Sequence, residues 1–373
     1  MLRKGSKLRG VPQEELEARF KRAQALMREK QVDCMLLTTE PDVYYFTGVA
    51  TRFWNSPTRP FFVLLPANHD RPVAVIPSVF PEFGNKSWLG VENVYTWAAP
   101  CPEDDGVSLL SQKLLEACVN FKRVGLQMGL EKVIRAPLTT IDTVRDNLKA
   151  EGVSTVDVSD IMLELRVVKS PLEVSRLRHA CHIASAAFAA LPAKLHALAE
   201  EQHWRKFTER EVRAAFHSLL IDFGADECPY VMCQSGPQGY DNLVLESTDK
   251  ILENGDVVII DTGCRFESYW SDFDRNFVVG GQRFLEDATV ECHQKIWDAT
   301  EDGFNVCHHV DGKPSTSRKL FEQINKTLGT DPEEFSTGRM GHGLGLQLTE
   351  LYSNNAHDCQ DLVPGVVFTI EPG

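Results

Sequence analysis

Val257-Val258-Ile259-Ile260 is a continuous apolar run that stops on Asp261-Thr262-Gly263. A carboxylate set directly after a buried strand is costly unless something cationic receives it, so this position constrains whatever surrounds it. Asp272 follows eleven residues later and opens a second strand-like stretch that runs through Phe277-Val278-Val279. The ten residues between the two aspartates are enough for a hairpin connection, which would bring both carboxylates to one site. Acidic residues at strand ends also serve as caps and ion-pair partners, and from these two alone both readings stand.

Two further pieces repeat the pattern. Gly341-His342-Gly343-Leu344-Gly345 presents one imidazole between glycines, and Val367-Phe368-Thr369-Ile370 delivers Glu371 ahead of Pro372-Gly373. A lone histidine in a glycine loop is more often a hydrogen-bonded structural residue than a ligand. Three segments that each end on Asp, His or Glu make a better case than any one. Oxygen-rich ligands with one imidazole suit Mn²⁺, Fe²⁺, Co²⁺ or Zn²⁺.

The rest of the chain bounds the setting. Its 373 residues exceed the usual single core, so two domains are expected. The net charge is −14, from 39 Lys and Arg against 53 Asp and Glu, which disfavours unassisted binding to nucleic-acid phosphates or anionic membranes. Arg3, Lys4, Lys7 and Arg9 form the only basic cluster and read as a disordered, solvated tail. There is no 18-residue apolar run and no apolar signal-peptide core. None of the ten cysteines forms a CxxC pair, so reduced thiols in a cytoplasmic protein are the simplest reading. Cys228 and Cys233 are close in sequence but lack nearby partners for a zinc site.

The first segment reads as α/β. Leu16, Phe20, Ala23 and Met27 recur at helical spacing, and strand-like runs follow at 34–37, 61–65, 73–76 and 123–126. A boundary falls near residue 169, where Ser170-Pro171-Leu172-Glu173 is a compact helix start. That helix is expected to bury Val174, Leu177, Cys181, Ala184 and Phe188. A second start follows at Thr208 with Glu211, and the pattern beyond predicts an α+β domain.

Asp261-Thr262-Gly263, Ser271-Asp272, Gly341-His342-Gly343-Leu344-Gly345 and Thr369-Ile370-Glu371-Pro372-Gly373, in that order, resemble the methionine aminopeptidase, aminopeptidase P, prolidase and creatinase family. Residues 30–47 and Arg166-Val167-Val168-Lys169-Ser170-Pro171 resemble its N-terminal domain and its junction. The resemblance implies a creatinase-like α/β domain over 1–168 and an α+β "pita-bread" catalytic domain over 169–373. It further implies a pair of divalent ions, with Asp261, Asp272, His342 and Glu371 as ligands and a bridging water activated for attack on a C–N bond. Glu371 would also accept the nucleophile's proton. The family's second glutamate would lie beyond Gly373, which implies that the sequence is truncated within its catalytic domain.

The departures from the family concern its other histidines. Peptidase members carry a histidine seven residues after the ligand histidine, where this chain has Thr349. Aminopeptidase P relatives place another four residues before it, where this chain has Gly338. A third belongs upstream of the first aspartate, and the stretch 235–246 has none. Thr349 donates a hydrogen bond but cannot shuttle a proton near neutral pH as histidine does. Arg339, Tyr240 or Asn242 are candidates to orient an oxyanion, and a fixed positive charge at Arg339 suits a substrate carboxylate. Arg339 could equally pair with acidic neighbours, and Tyr240 could be a turn residue. Asp274 stands where the family usually has threonine, and it either pairs with Arg275 or another base or adds negative charge near the metals. Trp54, with Arg59, lies in a loop that reaches the partner's active site in dimeric relatives; packing beneath its own loop is the alternative. The resemblance thus implies a homodimeric Xaa-Pro dipeptidase or aminopeptidase acting on a small peptide or amide. The lost histidines keep open a small-molecule hydrolase of creatinase or ectoine-hydrolase type, a lyase, or a non-catalytic scaffold.

Overall fold

The structure, a computed structural model, describes residues 8–56, 59–241, 244–307, 314–331 and 338–372. The chain divides into two compact units, Gly10–Arg166 and a second made of Val167–Gly373 with Met1–Arg9.

In the first unit, helix α1 (Gln13–Glu29) buries Leu16, Phe20, Ala23 and Met27, the stripe expected from their spacing. Strand β1 (Cys34–Leu37) leads into helix α2 (Glu40–Thr47), followed by β2 (Phe62–Pro66), β3 (Val73–Pro77) and β4 (Val94–Trp97). Helix α3 (Val107–Ala117), β5 (Arg123–Leu126), α4 (Leu138–Ala150) and β6 (Ser154–Asp157) complete one six-stranded sheet in the order β4-β3-β2-β1-β5-β6. The pairs β1–β2 and β2–β3 are antiparallel, and β3–β4, β1–β5 and β5–β6 are parallel. β1, β2 and β3 are buried at every residue, which is why they read as unbroken apolar runs rather than alternating ones. Leu36, Phe62, Leu64 and Val75 pack with Leu110, Leu114, Val144 and Leu148 of α3 and α4.

The second unit opens with helix α5 (Pro171–Glu201). Ser170 Oγ accepts from Glu173 N–H, and the Glu173 carboxylate accepts from Ser170 N–H, so two of the helix's orphan donors are satisfied reciprocally. Its buried face carries Arg176, Leu177, Ala180, Ile183, Ala184, Ala187, Phe188 and Leu191. Val174 and Cys181, expected on that face, are only half-buried at its edge. Helix α6 (Glu209–Asp222) starts on the same kind of capping box, Thr208 with Glu211. Both helices cover one face of the sheet β10-β8-β7, made by β7 (Glu227–Ser235), β8 (Val257–Phe266) and β10 (Phe273–Val278), with the short β9 (Tyr269–Trp270) paired to β8. Helices α7 (Asp287–Val306) and α8 (Ser317–Leu328) pack on Met340, Phe368 and Ile370, and β11 (His342–Gly343) pairs with β12 (Glu350–Ser353).

Three sequence expectations change here. The strand that carries Asp261 does not end there but runs five residues further, to Phe266. The segment 367–371 is extended and joined through a Gly343–Phe368 bridge, without forming a regular strand. The basic N-terminus is not a loose tail where it is described. Arg9 pairs with Asp226 at 2.6 Å and Glu267 at 2.9 Å and lies over the Phe266 ring, while Leu8 packs on the α5–sheet core. The segment ending at Arg9 therefore groups with the second unit, against the division by chain order. Arg3, Lys4 and Lys7 lie outside the described residues.

Lys169 is fixed by Glu350 at 3.2 Å, with side chains only 2% and 8% exposed. Removing Lys169 takes the cation from a buried carboxylate that still accepts from Gln347 N–H at 3.2 Å. Lys169→Met is therefore expected to cost about 3–5 kcal/mol, read as a lower urea midpoint with an unchanged slope.

Candidate metal centre

β8 is a strand with two different faces. Val258 and Ile260 point into the core under α5 and α6, so alternation turns Ile259 and Asp261 to the opposite side. The tight β8–β9 turn returns the chain antiparallel, and Asp272 stands immediately before β10. The register then sets Asp274 directly across from Asp261, and Phe273 across from Thr262. The return sets Asp274 beside Asp261, while Asp272 is the aspartate whose ligand atom converges with others; Asp261 is not in that group.

The second half supplies His342 and Glu371 through backbone pairing. Thr369 N–H donates to His342 O at 2.8 Å, His342 N–H donates to Thr369 Oγ1 at 2.9 Å, and Glu371 N–H donates to Met340 O at 3.1 Å. Phe368 and Ile370 face the α7–α8 core, so Thr369 and Glu371 alternate to the other side. Gly341 is required for this clip. Its φ is +121°, and a Cβ there would lie 2.2 Å from Thr369 O.

His342, Asp272 and Glu371 converge, each offering a ligand atom within 4.8 Å of the others. His342 Nε2 is 3.4 Å from Asp272 Oδ2 and 3.4 Å from Glu371 Oε1, with the imidazole 7% exposed. The other ring nitrogen, Nδ1, lies 3.0 Å from Gly343 O. A carbonyl oxygen only accepts, so Nδ1 carries a proton and donates it. In the neutral ring, Nε2 then aims a lone pair at two carboxylate oxygens, an arrangement that is repulsive until a cation stands among the three atoms. This donor set fits a divalent ion held by carboxylates and one imidazole, with the imidazole oriented by a backbone carbonyl as metal-binding histidines usually are.

Tyr230, which the sequence reading did not single out, completes the arrangement. Its hydroxyl donates to Asp272 Oδ1 at 3.0 Å, leaving Oδ2 toward His342. Tyr230 pairs across the ladder with Gly263, and a Cβ on Gly263 would lie 2.9 Å from the ring and 2.7 Å from Ser271 O. The glycine of Asp261-Thr262-Gly263 is thus the space through which the phenol reaches the aspartate. Burial, then the charges of Asp272 and Asp261, push the Tyr230 hydroxyl far above its ordinary range, so it stays a donor.

The carboxylates strain against one another. Burial and then the charge of Asp272 push Asp261 up to about 6. Burial and then Glu371 push Asp272 up to about 6, with Tyr230 and Arg339 acting in the opposite sense. Asp274 is pushed up to about 8 by loss of hydration and by the charges of Asp261, Glu371 and Asp272, although the residue as a whole is exposed at the rim of the centre. Removal of the Tyr230 hydroxyl would free Asp272 to rotate. Tyr230→Phe is expected to weaken Mn²⁺ binding roughly 10–100-fold, the range for groups that orient a ligand, measured by isothermal titration.

The other candidates fall in different places. Arg339 is half-buried, and its charge acts on Asp272. Thr349 is exposed, one residue before β12, with no side-chain hydrogen bond among the described residues. Tyr240 is corrected: its hydroxyl accepts from Val257 N–H at 3.2 Å. Val257 is four residues before Asp261, roughly 13 Å along an extended strand, so that phenol is occupied away from the centre. Trp54, in the first unit, packs against Phe61 at 5.3 Å with Arg135 above it at 5.0 Å, which is the packing alternative. Asn242 lies outside the described residues.

Comparison with known proteins places this geometry. Residues 175–373 match the family described as Metallopeptidase family M24, and residues 19–168 match the Creatinase/Prolidase N-terminal domain. The chain is 24% identical over 371 residues to an Xaa-Pro dipeptidase of Pyrococcus horikoshii, covering 96% of this chain and 90% of that one. A crystal structure of recombinant prolidase from Thermococcus sibiricus shares the fold, with a TM-score of 0.77, 21% identity and coverage of 95% and 88%. So does the N-terminal domain of the FACT complex subunit SPT16 from Cicer arietinum, with a TM-score of 0.73, 14% identity and coverage of 96% and 87%.

Proposed function

The chain belongs to metallopeptidase family M24, and on that premise we propose that it is a hydrolase of Xaa-Pro dipeptidase or aminopeptidase type, cleaving a C–N bond at the centre formed by Asp261, Asp272, His342 and Glu371. The observation that carries this reading is the buried His342 Nε2, aimed between Asp272 and Glu371 at 3.4 Å from each. Divalent ions held there would supply Lewis acidity toward a carbonyl and lower the pKa of a water.

The chain's own residues do the rest. Glu371, with its side chain 36% exposed, is the carboxylate open enough to take a proton from the attacking water. Tyr230 holds Asp272 in place. Arg339 stands on the Asp272 side as a fixed positive charge suited to a substrate carboxylate. Thr349 occupies the place where peptidases keep an imidazole, and its exposed hydroxyl is available to donate to substrate.

We infer two ions from the family's ligand set, and manganese from the oxygen-rich donors. The ten free cysteines support a reducing compartment such as the cytoplasm. Among the described residues, no helix is long and apolar enough to cross a membrane. The homodimer rests on the resemblance to dimeric relatives and is checked by sedimentation.

The test is purified protein assayed with Mn²⁺, Co²⁺ and Zn²⁺ on Xaa-Pro dipeptides beside small cyclic amides and amidines. Metal-dependent cleavage of the dipeptides, lost in Asp261→Ala, supports the reading; protein that binds none of these ions refutes it. Metal binding with turnover only of the non-peptide compounds would establish the small-molecule reading, which the exposed Thr349 in place of an imidazole favours.

A further inference from the structure

Asp274 has no counterpart in the ligand set that the family resemblance implies. The structure sets it across the ladder from Asp261, on the face that also carries Asp272. Side chains directly opposite in an antiparallel pair have Cβ atoms about 4.5–5.5 Å apart, and like charges so placed are destabilising. The ordinary remedy would be a basic neighbour, and Arg275 is adjacent. Its guanidinium instead donates to the backbone carbonyl of Asp274 and lies over the Phe273 ring, on the other face of the strand. Among the described residues, no Lys, Arg or His comes within ion-pair distance of the Asp274 carboxylate. The charged groups that bear on it most are Asp261, Glu371 and Asp272.

Strand geometry therefore holds three carboxylates, Asp261, Asp272 and Asp274, on one side of the sheet, and the buried His342 imidazole lies 3.4 Å from Asp272 and from Glu371. Without a cation, Asp261 and Asp274 are like charges directly opposite on one face of the ladder. A cation between them would turn the same pair into a chelate. We propose that Asp274 is itself a metal ligand, sharing with Asp261 an ion of the centre described above; the inference rests on that reading of the centre. The ligands among the described residues then number four carboxylates to one imidazole, an oxygen-rich balance that suits Mn²⁺.

The test uses the full chain and the metals alone. Asp274→Asn keeps the shape of the side chain and removes its charge. It is expected to bind Mn²⁺ at least about tenfold more weakly, with a smaller loss for Zn²⁺. Its metal-free form should melt higher than the parent, because the repulsion across the ladder is gone. Asp274→Cys, loaded with Co²⁺, is expected to show a thiolate-to-cobalt charge-transfer band in the near ultraviolet that the Co²⁺-loaded parent lacks. This band reports a bond to the metal, which a nearby charge cannot produce. Mn²⁺ affinity unchanged in Asp274→Asn, or weakened affinity without a band in Asp274→Cys, would overturn the assignment. A parent protein that binds no divalent ion would overturn the reading of the centre itself, and the two failures are thereby distinguished.

Discussion

His342→Ala protein is expected to bind Mn²⁺ at least about 100-fold more weakly than the parent, beyond the loss seen when only an orienting group is removed, and to lose turnover with it. The other proposed ligands are carboxylates, so no nearby group replaces a neutral nitrogen. The ring is held by Nδ1–H donating to Gly343 O and by a clip in which His342 and Thr369 exchange hydrogen bonds. Alanine keeps the backbone bonds of that clip, so the fold should survive while the site fails. Isothermal titration of both proteins with Mn²⁺, beside circular dichroism, checks this. A variant that binds Mn²⁺ as the parent does would show that His342 is a structural residue of its glycine loop.

The second large effect concerns pH. Asp261 and Asp272 are pushed up to about 6 and Asp274 to about 8 in the metal-free protein, by burial first and by each other's charges. A carboxyl raised on folding binds more protons folded than unfolded. The stability of the metal-free protein therefore falls as pH rises from the unfolded carboxylate range, near 4, through these raised values. A rise of about two units in Asp272 alone corresponds to about 3 kcal/mol, which is several degrees of melting temperature for a unit of this size. Bound Mn²⁺ neutralises the same charges and removes the loss. The melting-temperature gap between Mn²⁺-saturated and chelator-treated protein should widen from about pH 5 to about pH 8. A gap that stays constant across that range would mean that these carboxylates do not face the ion.

The fold was legible wherever one local rule decided the outcome. The helices at 171–201 and 209–222 announced themselves by capping boxes that the structure forms bond for bond. The fully buried strands of the first unit showed as apolar runs because both of their faces are covered. What escaped depends on register. Nothing in Cys228-Pro229-Tyr230 marks a phenol that reaches Asp272; only the pairing of Tyr230 with Gly263 across the ladder reveals it. The same holds for Asp274, whose partner is fixed by the return of the strand and not by its neighbour Arg275. Arg9 read as tail because its partners, Asp226 and Glu267, are more than two hundred residues away. The ordered Asp, Asp, His and Glu motifs were readable because Asp261 and Glu371 close apolar runs, Asp272 opens one and His342 sits among glycines.

The clip at 340–343 and 366–371 has a consequence for how the second unit comes together. Asp261, Asp272 and Asp274 belong to one hydrogen-bonded sheet, whereas His342 and Glu371 belong to another piece with its own bonds. Between Asp272 and His342 the chain makes a detour of some seventy residues through two helices. An ion gripped from both sides closes that detour as a cross-link would, and a tie of this span removes several kcal/mol of chain entropy from the open state. The centre would then act as the fastener of the unit as well as the seat of its chemistry, and chelation would loosen the two halves of the ligand set from each other before it melted either one.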